Sequence, residues 1–449
     1  MKELEKIFNK GLEFHHYVNT AYPLEGNKVW RDYKLRENVD GEIESQWRQI
    51  PEIGLYVHIP FCKKRCLYCE YTVLSNEESE LKDEYVHLLL KEIEKYKPLI
   101  SHSRIVGMDI GGGTPTSLSL NQIEIIKNNL LSGLNLSDNF SISIETTPYI
   151  ATNEIEKLQG IRRLGIERIS MGMQTIDPKL LEVVGRGDSS LSTLIKARDN
   201  IRVAGFARYN IDLMYGFAGQ SIESFDSTLN FAIKLAPEYI TLYRNRYKGT
   251  KLEKDASRVS LKEANELYSL AFGILTGSGY KAGIGKNTFS RISGDPGTSA
   301  YLTKRVIEGT PYLGLGLGAQ SLASSSIYYN EGAASKKLGS YRKAILENRF
   351  PVQDFYLLPP EEIMAKMICV SFYFGAVNQS AFKRKFGISL EEKFSKETKF
   401  LLDNGLMKNE EDLFQLTEKG KDNLNGIIPL FYSYNSRENL LKKEVKNGV

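Results

Sequence analysis

Cysteine is scarce in this chain, with only four among 449 residues. Three of them, Cys62, Cys66 and Cys69, lie close together, and the fourth, Cys369, lies far downstream. This distribution excludes a disulfide framework, which needs paired cysteines spread along a secreted chain. The three clustered cysteines therefore need another explanation.

Long apolar runs and a strong charge are also missing. No stretch of about 18 apolar residues occurs, as a membrane span would need, and the first ten residues are mixed and charged rather than a signal peptide. The formal net charge of +4 is too small to favour nucleic acid or an acidic membrane surface. We therefore expect a cytoplasmic, monomeric protein that acts on a small molecule and binds neither a membrane nor nucleic acid.

Short apolar runs alternate with segments of helical periodicity over the first half of the chain. Six of the runs are predicted to be strands, at residues 55–59, 105–110, 140–144, 167–171, 209–214 and 239–243. Strands that alternate with helices indicate parallel βαβ units, and right-handed crossovers wrap such units into a closed or partly open barrel. The sequence thus predicts an α/β fold, a partial (βα)6 barrel whose ligands bind at the carboxyl ends of the strands.

The rest of the chain is divided by changes in pattern. We predict an N-terminal arm at 1–50, the core barrel at 51–255, a barrel extension toward the substrate at 256–358 and a helical domain at 359–449. The extension holds a helix at 261–277 and a glycine-rich segment at 312–320. The order of elements in the last region resembles a winged helix. Its tail lacks the dense basic face of a DNA-binding domain.

The spacing of the clustered cysteines favours one kind of metal site. Cys62-Lys-Lys-Arg-Cys66-Leu-Tyr-Cys69 follows the first strand through Pro60, so one loop at a strand end carries three thiolates. A structural zinc site needs four ligands, whereas a [4Fe–4S] cluster with three protein ligands keeps one iron open. That iron can chelate S-adenosylmethionine (SAM) for reductive cleavage to a 5′-deoxyadenosyl radical. A zinc site and three unrelated buried cysteines remain as alternatives.

Other strand ends supply polar groups or glycines to the same face of the predicted barrel. The candidates for SAM binding are Tyr68, Gly112, Gly113, Thr114, Glu145, Gln174, Arg186 and Asp212. Glycine lets a backbone approach a ligand, Glu145 can take an ammonium or a ribose hydroxyl, and Arg186 can clamp a carboxylate. The ring of Tyr68 can shield the cluster from water. The competing interpretations are a simple glycine turn and a solvated carboxylate.

The segment Leu55-Tyr-Val-His-Ile-Pro-Phe-Cys62, with the other two cysteines, resembles the oxygen-independent coproporphyrinogen III oxidase (HemN-like) group of radical SAM proteins. The likeness extends over most of the chain. It implies a [4Fe–4S] cluster on the three cysteines, two SAM molecules bound side by side, and a flavodoxin- or ferredoxin-type electron donor. By motif position it assigns Tyr56, Gly112 and Glu145 to the SAM on the cluster, and Gly113, Thr114, Gln174, Arg186 and Asp212 to the second SAM. His58 would support the cluster loop.

Two departures from the family pattern bear on the reaction. Decarboxylating oxidases carry Cys-Gly-Cys after the cluster, where this chain has Cys69-Glu-Tyr71. The heme chaperones of the family carry a His-Asn-x-x-Tyr-Trp element, but all five histidines here precede residue 103. We therefore expect radical C-methylation or cyclopropanation of an unsaturated or tetrapyrrole-like molecule, with catalytic residues unassigned. Coproporphyrinogen III oxidation and a heme-binding chaperone role are the alternatives.

Overall fold

The computed structural model describes residues 2–75, 78–186 and 190–444. Its strands are β1 Lys34–Leu35, β2 Glu52–Ile59, β3 Arg104–Gly112, β4 Asn135–Leu136, β5 Ile142–Thr146, β6 Arg168–Gln174, β7 Arg208–Tyr215, β8 Tyr239–Arg244, β9 Thr288–Ser290, β10 Tyr312–Leu315, β11 Gln320–Leu322, β12 Ser326–Asn330, β13 Val352–Leu357, β14 Ala376–Asn378, β15 Met407–Glu410 and β16 Leu413–Leu416.

The α-helices lie between these strands and after them. They are α1 Lys2–Glu13, α2 Gly26–Val29, α3 Val39–Trp47, α4 Ser79–Ile100, α5 Leu120–Leu131, α6 Pro148–Asn153, α7 Ile155–Arg163, α8 Pro178–Val183, α9 Leu191–Val203, α10 Ile222–Lys234, α11 Leu261–Gly277, α12 Ala300–Thr303, α13 Gly339–Leu346, α14 Pro360–Ser371, α15 Gln379–Phe386, α16 Leu390–Lys393, α17 Ser395–Asp403, α18 Glu418–Asp422, α19 Leu424–Ile427 and α20 Tyr434–Leu441. A π-helical segment, Lys304–Glu308, continues α12.

The six predicted strands form the parallel core of the fold. β2, β3, β5, β6, β7 and β8 lie side by side in that order and pair in parallel. Their apolar residues are buried, as expected where helices cover a parallel sheet. Serines begin several of the helices: Ser119, Ser221 and Ser260 each accept the backbone N–H three residues on. The predicted α/β barrel is confirmed.

The sheet continues beyond this core, which the sequence did not predict. β10 pairs in parallel with the free side of β2, and β11, β12, β13 and β1 extend it as antiparallel strands. On the opposite side β9 pairs antiparallel with β8. These strands are short, and the glycine-rich segment that contains β10 shows no clear alternation. The predicted helix at 261–277 is present as α11.

The C-terminal region is helical and carries a small sheet of the winged-helix kind. β14, β16 and β15 form an antiparallel sheet in that order, and β15 with β16 makes the wing hairpin. Cys369 of α14 is fully buried there, so it packs as an apolar residue away from the other cysteines. Among the described residues, no helix is both long and apolar enough to cross a membrane.

The N-terminal arm and the C-terminal region share one hydrophobic core. Leu4, Ile7 and Trp30 of the arm are buried in the same cluster as Ile368 and Phe431. The arm and the C-terminal region are therefore packed together, and residues between α1 and α2 line a cavity with residues of the barrel strands.

Candidate active site

The cysteine loop is fixed at the carboxyl end of β2 by backbone hydrogen bonds. Leu74 N donates to Pro60 O at 2.7 Å and Cys62 N donates to Leu74 O at 3.2 Å. Within the loop, Cys69 N donates to Cys66 O at 3.2 Å. All three cysteines are free and partly exposed. The loop therefore presents three thiols toward the cavity at the strand ends.

The surroundings of the thiols fit a cluster rather than a single ion. Among the described residues, no group of His, Cys, Asp or Glu side chains converges on one metal ion. A cubane cluster sets a different requirement, because each thiolate binds its own iron. Burial raises the pKa of Cys62 to about 11 and also raises that of Cys69. The free loop thus holds protonated thiols there, and cluster binding releases those protons.

The glycine loop after β3 packs directly against the cysteine loop. Gly112 has φ +117°, and a Cβ there would lie 2.6 Å from the ring of His58. A Cβ on Gly113 would lie 2.7 Å from Phe61 O. Thr114 Oγ1 lies 3.3 Å from Cys62 Sγ. The sequence predicted glycine here for the approach of a ligand, and the structure adds that the two loops themselves need the space.

Glu145 is a carboxylate without a cation. Its Oε2 accepts a hydrogen bond from Gly112 N at 3.1 Å, and it forms no ion pair within the described part of the chain. Removal from bulk water, and then the nearby Asp212 carboxylate, raises the pKa of Glu145 to about 8. The side chain remains open to the cavity. This arrangement fits the ammonium group of SAM, which would supply the missing positive charge.

Gln174 ends β6, and Asp212 lies within the neighbouring strand β7. Gln174 has φ +66°, a strained value for a residue with a side chain, and its Oε1 is buried without a hydrogen-bond partner among the described residues. Asp212 accepts hydrogen bonds from Ser170 Oγ at 2.9 Å and Asn210 Nδ2 at 2.7 Å. A strained residue with an unused acceptor is typical of a ligand site, whereas Asp212 is already held in place by protein.

Arg186 lies against the cysteine loop. Its Nε donates to Cys66 Sγ at 3.1 Å and its Nη1 donates to Gly172 O at 2.5 Å. The structure therefore directs this guanidinium toward the cluster thiol, with fewer donors left for a ligand carboxylate than the sequence suggested.

One cavity of about 950 Å³ unites these groups. It is lined by Cys62, Cys66, Tyr68, Cys69, Gly112, Gly113, Thr114, Glu145, Gln174, Arg186 and Asp212. We call it the SAM cavity. Tyr68 closes one wall, with its ring 6.1 Å from that of Phe217. Tyr56 is the predicted site residue that does not line this cavity.

A second cavity of about 710 Å³ lies next to the first and contains Tyr56. We call it the inner cavity. The two share part of their walls, including Tyr71, Glu145, Asp212 and Tyr243. Tyr56 OH lies 3.4 Å from His58 Nδ1, whose other ring nitrogen lies 2.8 Å from Thr72 O. His58 thus supports the stretch just after Cys69.

Sequence reasoning missed much of the inner cavity. Arg244, at the end of β8, contacts His15 Nδ1 of the arm at 2.6 Å and Asn425 Oδ1 of the C-terminal region at 3.1 Å. Burial, and then Arg244, lowers the pKa of His15 to about 3, so the neutral ring accepts this hydrogen bond. Three distant segments meet here, and the paired histidines at 15 and 16 were the only visible signal.

Comparisons with known proteins agree with this geometry. The model of the radical SAM superfamily matches residues 56–232. The heme chaperone HemW of Buchnera aphidicola (subsp. Acyrthosiphon pisum) is 27% identical over 394 residues, which cover 85% of this chain and 99% of that protein. The oxygen-independent coproporphyrinogen III oxidase of Synechocystis sp. is 26% identical over 458 residues, 96% of this chain and 94% of that one.

A solved structure shows the same fold. Coproporphyrinogen III oxidase (HemN) from Escherichia coli, described as a radical SAM enzyme, superimposes with a TM-score of 0.75 at 24% identity over 92% of this chain and 97% of that chain. Membership of the superfamily implies a [4Fe–4S] cluster and SAM, which the three thiols and Glu145 fit. The chain therefore contains a radical SAM domain at residues 56–232, and over most of its length it is similar in sequence to oxygen-independent coproporphyrinogen III oxidases and heme chaperones and in fold to HemN.

Proposed function

We propose that the chain holds SAM in the SAM cavity and removes a hydrogen atom from a tetrapyrrole-like small molecule in the inner cavity. The shared wall of the two cavities carries this proposal. A radical formed beside Glu145 reaches a molecule on the other side without crossing bulk water. Exclusion of water protects such an intermediate from side reactions.

The residues of the SAM cavity have separate tasks in this proposal. When bound, the cluster supplies an electron that cleaves SAM to the 5′-deoxyadenosyl radical. Cys62, Cys66 and Cys69 hold the cluster, and Glu145 binds the ammonium of the SAM that lies on it. We assign a second SAM to Gly113, Thr114, Gln174, Arg186 and Asp212. The volume of about 950 Å³ is at the upper end for a small-molecule site, which supports more than one ligand.

The reaction that we favour is oxidation of a coproporphyrinogen-like molecule, as the names of the oxidases say, and we propose that it proceeds by decarboxylation. A propionate side chain would give one hydrogen atom to the 5′-deoxyadenosyl radical, release carbon dioxide and pass one electron to an oxidised one-electron carrier of the flavodoxin or ferredoxin type, leaving a vinyl group. The alignment with the Synechocystis oxidase covers 96% of this chain, against 85% for the Buchnera chaperone. The expected C-methylation or cyclopropanation finds no support in the names of these relatives, so it becomes the second candidate.

One observation keeps that second candidate. Tyr71 stands where the decarboxylating oxidases have the second cysteine of Cys-Gly-Cys, and its half-exposed side chain lies on the wall between the two cavities. A changed residue at the point of radical transfer is where a change of reaction would be expected.

An electron donor must approach the cluster from outside. Lys63 and Lys64 of the cysteine loop are exposed beside the thiols. We propose that they attract an acidic flavodoxin- or ferredoxin-type protein. Reduction by such a donor should slow with rising salt, while reduction by dithionite should not follow the same dependence.

The deciding experiment is anaerobic turnover of the reconstituted protein with dithionite, methyl-deuterated SAM and coproporphyrinogen III, read by mass spectrometry. Loss of carbon dioxide with unlabelled 5′-deoxyadenosine supports the oxidase. Deuterium in both 5′-deoxyadenosine and an alkylated product supports methylene transfer instead. If neither product forms and the protein binds heme tightly at an equimolar ratio, the chaperone role is favoured.

A further inference from the structure

Two cations in one corner of the inner cavity form no ion pair with a carboxylate in the part of the chain that the structure describes. Arg305 lies on the π-helical segment and Lys366 lies on α14 of the C-terminal region. Both line the cavity. By contrast Arg246, which lines the same cavity, forms an ion pair with Glu70. Buried cations are normally paired, so the corner calls for an explanation.

Most hydrogen-bond donors of Arg305 are unused. A guanidinium carries five N–H donors, and among the described residues Arg305 uses Nη1 alone, which donates to Tyr301 OH at 3.1 Å. Its guanidinium carbon lies 4.1 Å from the ring centroid of Tyr312. Tyr301 therefore accepts a hydrogen bond from one edge of the guanidinium, and the ring of Tyr312 packs against its face. The other N–H donors remain available to a ligand in the cavity that Arg305 lines.

Lys366 also has hydrogen-bond donors that the described residues do not use. Its side chain is buried, and its Nζ donates to Tyr22 O of the arm at 3.1 Å. Burial, and then the charge of Arg305, lowers the pKa of Lys366 to about 7. The two cations are thus close enough to repel each other.

The two acids around this corner are each hydrogen-bonded through one oxygen only, and the other oxygens, Glu362 Oε1 and Asp109 Oδ1, are buried without a hydrogen-bond partner among the described residues. Glu362, one turn earlier on α14, accepts hydrogen bonds from Tyr22 OH and Trp30 Nε1. Asp109 accepts one from Ser299 Oγ at 2.7 Å. Neither Arg305 nor Lys366 forms an ion pair with a carboxylate of the described residues. Asp109 is near enough for Arg305 to act on its pKa, but neither cation has a carboxylate within ion-pair distance among the described residues, so both can take an anion that enters the cavity.

We propose that Arg305 and Lys366 form an anion subsite that binds one carboxylate of the substrate. The planar guanidinium matches a carboxylate through two parallel hydrogen bonds. The carboxylates of Asp109, Glu145 and Asp212 line the same cavity and would oppose a more highly charged phosphate. The assignment rests on the proposed function insofar as the inner cavity takes the substrate.

The subsite also sets the orientation of what it binds. The ring of Tyr301, which contacts Arg305, stacks on that of Tyr56 at 6.2 Å and 26°. A Cβ on Gly111 would touch both Tyr56 and Glu145, so these two side chains are neighbours. A substrate anchored at Arg305 therefore lies along two tyrosine rings that lead to Glu145 and the SAM cavity. Arg305 acts here as a specificity and positioning residue.

The first test uses small carboxylates and so does not depend on the identity of the substrate. Sodium propionate and sodium glutarate at 100 mM should raise the melting temperature of the full-length protein above that in sodium chloride of equal ionic strength. Arg305→Met and Lys366→Met should lose this rise. Lys304→Gln removes a neighbouring cation that is paired with Glu308 and should keep it. No carboxylate-specific rise in the wild type, or an equal rise in Arg305→Met, would overturn the subsite.

Arg305→Lys keeps the positive charge but lacks the two parallel N–H donors of the guanidinium. It serves as the second variant if Arg305→Met fails to fold. It should retain part of the rise in melting temperature. An unchanged rise in this variant would contradict the two-hydrogen-bond geometry.

The second test links the subsite to the proposed function. Coproporphyrin III should bind the wild type about tenfold tighter than its tetramethyl ester in a fluorescence titration, and Arg305→Met should abolish that difference. Equal binding of acid and ester would overturn the subsite. If neither porphyrin binds while propionate still stabilises the protein, the anion subsite stands and the tetrapyrrole function fails.

Discussion

The SAM cavity and the inner cavity are built in different ways. The first is formed by successive strand ends of one barrel, within the stretch 56–232 that matches the superfamily model. The second needs the barrel interior, the arm at 15–23 and residues of α14 and the segment after α18. In our proposal, radical generation is therefore encoded locally, in short motifs, whereas substrate binding depends on the packing of both chain ends.

The two cavities also differ in their unpaired charges. The SAM cavity has a free carboxylate, Glu145, which suits the ammonium and sulfonium charges of SAM. The inner cavity has free cations, Arg305 and Lys366, in its far corner. Because Glu145 lies on the wall shared by the two cavities and the two cations lie away from it, the proposed cationic cofactor and anionic substrate would bind at opposite ends.

The largest expected effect is the loss of the cluster. Cys66→Ala removes one of three thiolates, so reductive cleavage of SAM should fall by at least about 100-fold. The amount of 5′-deoxyadenosine formed with dithionite, and the iron content after reconstitution, measure this. The barrel should stay folded, because Cys66 is a partly exposed loop residue.

Cys369→Ala is the matched control for the loss of a thiol. This residue is fully buried in the C-terminal core, away from the SAM cavity. The variant should melt at a lower temperature but bind the same amount of iron as the wild type. If Cys369→Ala lost iron and Cys66→Ala retained it, Cys369 rather than Cys66 would have to be a ligand of the cluster.

The next effect concerns the free carboxylate. Glu145→Gln should weaken SAM binding on the order of tenfold, because it removes the charge that meets the ammonium. Since the pKa of Glu145 is raised to about 8, the carboxylate is the minor form at neutral pH. Wild-type affinity for SAM should therefore increase as the pH rises from 7 to 9. Isothermal titration calorimetry with SAM should show this increase in affinity. A similar increase in Glu145→Gln would mean that a group other than Glu145 causes the pH dependence.

A smaller and more selective effect is expected at the wall between the cavities. Asp212→Asn should reduce product formation by about tenfold and SAM cleavage by less, because it alters the proposed second SAM and leaves the cluster intact. Asp212 is a better choice for this test than Arg186, whose Nε donates to Cys66 Sγ. Equal loss of cleavage and product would argue against a separate second SAM.

The contrast between the cavities explains what the sequence could predict. The six strands could be predicted because each is a short apolar run between helices, and the site residues were predicted because most of them lie at or near the carboxyl ends of those strands. Tyr56 was placed with SAM on motif position alone, and the structure has it on the inner cavity beside Glu145. Substitution of Tyr56 can still test whether this residue contacts SAM, because it adjoins the wall that the two cavities share.

The strands β9 to β13 and the charged corner could not be predicted for a physical reason. β10 is stable as a strand because it pairs with the free side of β2, a contact between residues far apart in the chain. Arg305 and Lys366 lie in segments without a motif, and only folding reveals that neither has an acidic partner. A local sequence pattern cannot show whether a cation will lack an ion-pair partner in the folded protein.

The smallest effect on radical chemistry is expected where the arm meets the C-terminal region. Tyr22 OH donates to the buried Glu362 Oε2 at 2.5 Å, so Tyr22→Phe leaves Trp30 as the only remaining donor to that atom among the described residues. Loss of a hydrogen bond to a buried charge should lower the free energy of unfolding by roughly 2 kcal/mol. Tyr434→Phe is the control, because Tyr434 is 75% exposed. Urea denaturation should separate the two variants, while SAM cleavage by both remains at the wild-type level. A matching loss of cleavage in Tyr22→Phe would mean that the SAM cavity depends on the chain ends as much as the inner cavity does.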